Sequence, residues 1–160
     1  MGEEIERKFL VTGNAWRAGK SSDYRQGYLS IDKQRTVRVR IAGDAAFLTV
    51  KGITEGTTRA EYEYPIPVAD AKAMLETLCL CPIIEKRRYR VDHGGMTWEI
   101  DEFLGENAGL VVAEIELETA QQPFDKPVWV GEEVTTDPRF FNANLMASPY
   151  TTWEKPPASG

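Results

Sequence analysis

Like charges recur at every second position in one short segment after another: Glu4 and Glu6, with Lys8 next in step; Arg38 and Arg40; Glu61 and Glu63; Lys86, Arg88 and Arg90; Glu99 and Asp101; Glu114, Glu116 and Glu118. Alternate residues of a β-strand share a face, so each segment reads as a strand with one charged side. The opposite parity is apolar: Ile5 and Phe9, Val37, Val39 and Ile41, Leu48 and Val50, Tyr62 and Tyr64, Trp98 and Ile100, Ile115 and Leu117. An antiparallel sheet with one wet face accounts for alternation. It does not account for sorting by sign, because like charges two residues apart repel and mixed patterning would avoid that cost. About eight such strands suffice to close a barrel. If the charged faces point inward, acids and bases there must pair, bind metal or clasp a charged ligand.

The order of segments fits a meander. Arg25–Ile31 and Thr36–Ile41 flank a turn at Asp32-Lys33-Gln34; Ala46–Lys51 and Thr58–Ile66 follow, separated by a stretch with two glycines. Strand signals resume at Asp23 after a polar stretch in which Asn14 would cap a short helix around Trp16. From Pro67 to Leu80 the period changes: Val68, Ala71, Met74, Leu75 and Leu78 define one apolar helical face. Period two returns in Ile84–Asp92, Met96–Phe103 and Leu110–Glu118, and Asp137–Ala147 reads as a second helix. The reading is a mainly β, α+β chain: one domain over residues 1–150, a closed eight-stranded antiparallel barrel with a few flanking helices, and a flexible tail over 151–160.

The chain has 160 residues, a net charge of -6 and no apolar run of spanning length. An acidic balance argues against a nucleic-acid surface, and the absence of an apolar leader or span points away from a membrane and toward the cytoplasm. Cys79 and Cys81 lack metal-ligand spacing and read as buried free thiols. His93, the only histidine, sits in the turn-like Asp92-His93-Gly94-Gly95, which leaves Ser-His or Cys-His chemistry without a base. The opening Glu4-Ile5-Glu6-Arg7-Lys8 instead sets two carboxylates and an ammonium on one face, half of a divalent-metal site beside a group able to hold an anion.

Taken in order, EIERKFL (4–10), RQGYL (25–29), VRVR (37–40), LTVKG (48–52), RAEYEY (59–64), EKRRY (85–89), WEIDEF (98–103), VVAEIELE (111–118) and GEEVTTDPRFFN (131–142) resemble the CYTH superfamily. These are the triphosphate tunnel metalloenzymes, and the closest likeness is to the short bacterial inorganic triphosphatase type. The resemblance implies a barrel whose tunnel binds triphosphate with Mg²⁺ or Mn²⁺. It assigns Glu4, Glu6, Glu114 and Glu116 to the metal, and Lys8, Arg38, Arg40, Lys51, Lys86 and Arg88 to the phosphates. Glu61, Glu63 and Asp101 fall at further tunnel acids, and Lys86, Glu63 and Asp101 are the candidates for activating water. Where relatives often read R-Y-x-N, this chain has Arg139-Phe140-Phe141-Asn142.

The activity expected is metal-dependent hydrolysis of inorganic triphosphate to pyrophosphate and phosphate. Alternatives are an adenylate cyclase or thiamine triphosphatase of the same family, or a non-catalytic polyphosphate or nucleotide-binding module. The expected partner is a small molecule, inorganic triphosphate or a nucleoside triphosphate, with neither nucleic acid nor membrane; oligomeric state is open, a homodimer among the options.

Overall fold

The computed structural model describes residues 2–153. Its strands are β1 (Gly2–Val11), β2 (Lys20–Ser30), β3 (Thr36–Ala42), β4 (Ala45–Lys51), β5 (Thr58–Ile66), β6 (Ile84–His93), β7 (Met96–Phe103), β8 (Val111–Glu116) and β9 (Val130–Glu133). Two α-helices, α1 (Val68–Thr77) and α2 (Asn142–Ala147), and several 3-10 turns complete it. The order β5-β4-β3-β2-β6-β7-β8-β1 closes on itself through β5–β1, so the first eight strands form a barrel, every pairing antiparallel.

β1 is the seam. One edge pairs with β8 over Glu6–Leu10. The other edge is divided: Gly2–Ile5 pair with β5, and β9 takes over from Phe9 to Val11. Lys8 O accepts from Val134 N on that second edge and Glu6 N donates to Thr57 O, which fixes both neighbours to the same side of the strand. β9 itself was not anticipated, because Val-Gly-Glu-Glu carries no alternation.

The apolar parity faces outward and forms two clusters around the barrel, and a third apolar cluster sits beneath the C-terminal segment. Phe9, Trp16, Tyr89, Trp98, Ile100, Ile115 and Trp129 make the largest. A second gathers Ile84, Phe103 and Val112, which share the inward parity of Lys86, Asp101 and Glu114, with Phe140, Leu145 and Met146 of the C-terminal segment, and α1 lays Ala71 and Leu75 over Val39, Ile41 and Ala46. Each large apolar side chain so buried contributes about 1.5–3 kcal/mol. The interior is thereby left to the polar parity.

The helix ends at Thr77, short of Leu80, and Leu78 is 65% exposed. The chain then crosses Gly27, where a Cβ would come within 3.0 Å of Leu75 and 2.9 Å of Cys79; only glycine permits that approach. Cys79 is half-buried there and Cys81 is exposed, so burial holds for neither thiol in full. Tyr62 and Tyr64, on the apolar parity, are 52% and 56% exposed, because α1 packs on β3 and β4 and leaves the outer face of β5 bare. β2 starts at Lys20, three residues before its apolar signal, because Lys20, Ser21 and Ser22 pair with Arg90, Tyr89 and Arg88.

The Asp137–Ala147 segment divides into a 3-10 turn at Pro138–Phe140 and α2. Thr151 and Thr152 belong to another 3-10 turn, and the Trp153 ring packs edge-on against Phe140 and Tyr150. Order thus runs past residue 150, and the remainder of the expected tail lies outside the described residues.

Candidate active site

The barrel encloses a cavity of about 540 Å³. Its wall takes Glu4, Glu6 and Lys8 from β1, Arg38 and Arg40 from β3, Lys51 from β4, Glu61 and Glu63 from β5, Lys86 and Arg88 from β6, Glu99 from β7, and Glu114 and Glu116 from β8. Strand alternation puts them there, and register sets who meets whom: Glu6 lies opposite Glu116, Lys8 opposite Glu114, and Lys51 opposite Glu61.

On the side of β1, β5 and β8 the groups are mainly carboxylates. Glu4 is committed: Lys51 Nζ donates to it at 3.1 Å and also meets Glu61 at 3.3 Å. Burial alone would raise the Glu4 pKa, but Lys51, with Glu61 and Lys8, brings the carboxyl down to about 2. Among the described residues only Lys8 comes within ion-pair distance of Glu6, at 3.8 Å, and burial with the charges of Glu114 and Glu4 pushes it up to about 8. Glu116 is raised by burial and by Glu4 and Glu99. These are carboxylates short of positive charge.

On the side of β3 and β6 the crowding is of cations. Burial, with Arg38 and Arg88 as neighbours, lowers Arg40 to about 10. Burial lowers Lys86 to about 7, although Asp101 opposes the shift. Asp101 accepts from Arg88 through Nε at 2.7 Å and Nη2 at 2.9 Å, and from Lys86 at 2.7 Å; both Lys86 and Asp101 side chains are 1% exposed. Arg88 also reaches Glu99 at 3.2 Å and Glu114 at 3.7 Å. Thr49 and Arg38 hold Glu63, at 2.8 and 3.5 Å. The buried Nε of Arg38 has no partner among the described residues. An unpaired buried donor costs about 1–3 kcal/mol, which an anionic oxygen in the cavity would remove.

The CYTH domain model matches residues 2–150 of this chain. The chain belongs to the CYTH family. An inorganic triphosphatase of Acetivibrio thermocellus is 53% identical to it over 97% of the chain and the full length of the relative. One of Nitrosomonas europaea is 38% identical over 91% of the chain and 97% of the relative. A crystal structure of the inorganic triphosphatase NE1496 superposes with a TM-score of 0.63 at 35% identity, covering 90% of this chain and 97% of that one.

Of the residues expected in the CYTH tunnel, Glu4, Glu6, Glu61, Glu63, Glu114, Glu116, Lys8, Arg38, Arg40, Lys51, Lys86 and Arg88 all line the cavity. Asp101 does not: it lies behind Arg88 and Lys86, its oxygens taken by those cations, which places it as a support and not as a group facing a reactant. Arg90 and Glu118, on the same parity, also fall outside the wall. Neutral groups went unread: Tyr28 and Asn142 on the wall, and Gln26 and Thr49 buried behind it. Gln26 and Tyr28 share a face of β2 and were findable from parity, but they carry no charge to be sorted.

Proposed function

We propose that this protein hydrolyses inorganic triphosphate to pyrophosphate and phosphate, as a phosphoanhydride hydrolase, with the single domain 1–150 as the working unit. The observation that carries this reading is the apposition, inside one closed barrel, of a cation-crowded wall and a carboxylate-crowded wall. A polyanion chelated to a divalent cation answers both at once. Full-length similarity to two inorganic triphosphatases supports it.

Arg38, Arg40 and Arg88 offer forked donors that orient phosphate oxygens, while Lys8 and Lys51 act as point charges. Mg²⁺ or Mn²⁺ fits the opposite wall. Glu6 and Glu116 face each other across β1 and β8 and both are held above the ordinary carboxylate range, with Glu114 and Glu4 alongside. No three acidic, histidine or cysteine groups converge as a ready cage among the described residues, and Mg²⁺ characteristically takes one or two carboxylates and completes its shell with water and substrate phosphates. When bound, the metal neutralises and polarises the phosphate oxygens.

The chain's own part in the bond-breaking step is positioning and proton transfer. Water attacks a terminal phosphorus, the bond from that phosphorus to the bridging oxygen breaks, and pyrophosphate departs. Lys86, lowered to about 7, is the group suited to accept the water proton; Glu63 is the second candidate. Asp101 holds Lys86 and Arg88 in place for this. The substrate is a small molecule, and no helix among the described residues is long and apolar enough to cross a membrane. The cytoplasm is the compartment we assign on the acidic, span-free sequence.

The test is phosphate release from tripolyphosphate, ATP and pyrophosphate with and without Mg²⁺ or Mn²⁺. Metal-dependent turnover preferring tripolyphosphate is expected. Cyclic AMP from ATP, or binding without turnover, would overturn it.

A further inference from the structure

A chain of hydrogen bonds at the cation-rich end of the cavity has only one self-consistent orientation. Arg40 Nε, which can only donate, gives its hydrogen to Gln26 Oε1 at 2.9 Å. The Gln26 carbonyl is thus fixed toward Arg40, and its amide must donate. It does so to Asn142 Oδ1 at 2.9 Å and to the Tyr28 hydroxyl at 3.3 Å. Lys86 Nζ donates to the same Asn142 oxygen at 2.8 Å. A flipped Asn142 amide would set N–H against N–H on the Gln26 side, so its orientation is settled whatever the protonation of Lys86. Asn142 lines the cavity, and its Nδ2 neither makes a hydrogen bond among the described residues nor counts among the buried unpaired nitrogens. It is an accessible donor, held still by its own oxygen.

We infer that Asn142 is a further substrate-contacting residue: its Oδ1 is anchored by Lys86 and Gln26 so that its Nδ2–H donates to a phosphate oxygen in the cavity. The same oxygen also steers Lys86. Two N–H bonds of Lys86 go to Asp101 and Asn142, and its third position, proton or lone pair, is taken by neither. The groups facing Lys86 are Asp101 on β7, Arg88 on its own strand, Arg40 on β3 and Glu114 on β8. None of them duplicates a neutral acceptor on the C-terminal segment. Gln26 directly, and Arg40 one link further, then act as positioning residues for the Asn142 amide.

The inference rests on the triphosphatase reading, and the experiment separates the two. In ¹⁵N-labelled protein the side-chain amide of Asn142, assigned by its loss in Asn142→Asp, is followed while tripolyphosphate is added without metal. A shift of those amide protons at the concentrations that shift the arginine side-chain signals is expected. Arginine signals that move while the Asn142 amide stays still would overturn the inference and leave the proposed function standing; no movement of any would overturn both. Kinetics supply the second arm. Asn142→Asp keeps the acceptor and deletes the donor, so KM for tripolyphosphate should rise about ten- to a hundredfold. A carboxylate beside Lys86 favours the ammonium, so the acid limb of kcat should move to higher pH. A variant with KM within twofold of the wild type and an unmoved limb would sink the assignment.

Discussion

The two walls of the barrel are built by the same strand alternation yet carry opposite electrostatic debts. On β1, β5 and β8 burial first, and neighbouring carboxylates next, push acids up: Glu6 to about 8, with Glu116 and with Glu61, which shares Lys51 with Glu4, raised as well. On β3 and β6 the cations are pushed down, Arg40 to about 10 and Lys86 to about 7, by burial among other cations. Glu4 and Asp101 show what a committed acid looks like in the same barrel, since ion pairs hold both below the ordinary range against burial. What differs is therefore not depth but whether a countercharge is supplied from within. Where none is, the walls fit a ligand that brings a cation to one side and an anion to the other.

The comparison breaks most sharply at Glu6. Glu6→Gln should lower metal-dependent turnover by about 10³-fold while circular dichroism stays unchanged; full activity would remove the acid wall from the mechanism. The same variant sharpens the stability side. A carboxyl at about 8 in the folded chain and 4.5 unfolded holds its proton more tightly when folded, so the metal-free protein loses stability as pH climbs from about 4.5 to 8. Glu6→Gln should lack that loss, and melting curves at pH 5 and pH 8 read it.

Lys86→Met comes next, with kcat down by about 10²–10⁴-fold. In the wild type kcat should rise with pH through an ionisation near 7. The linkage here has the opposite sense: a lysine at about 7 folded and 10.5 unfolded makes the folded chain more stable as pH rises between those values. Lys86→Met should lack that gain, so the rise in melting temperature between pH 7 and pH 10 should be smaller in the variant than in the wild type. Arg38→Ala is smaller, a rise in KM of about ten- to a hundredfold with kcat much less affected, and an unchanged KM would take it out of the phosphate grip. Least of all, His93→Ala, at the exposed end of β6, should leave the pH profile where it was, which tests that the ionisation near neutrality belongs to the tunnel.

The strands and the inward parity were legible because burial on one face forces period two, and sorted charges mark that face where apolar residues alone would not. Depth was not legible. Glu99 and Asp101 share a parity, but register sets Asp101 beside Arg88 and under Lys86, which turns a candidate reactant into a support. Neutral polar groups were equally silent: Gln26 and Asn142 matter only because strand β2 and the start of α2 meet, a contact 116 residues apart in sequence. β9 has too few residues to show a period, and its place follows from the edge of β1 that β5 leaves free.

That divided edge has a consequence for how the molecule is assembled. β1 precedes the other strands but finds its partners at residues 58–61, 112–116 and 130–133, so the ring stays open until β8 has been made. Until then Glu4, Glu6 and Lys8 sit in water, where their charges cost little; they become a problem only at the final act of closure, when distant contacts must form together. Any change within Gly2–Ile5 therefore acts on that closing step, far along the sequence from the strands that complete it.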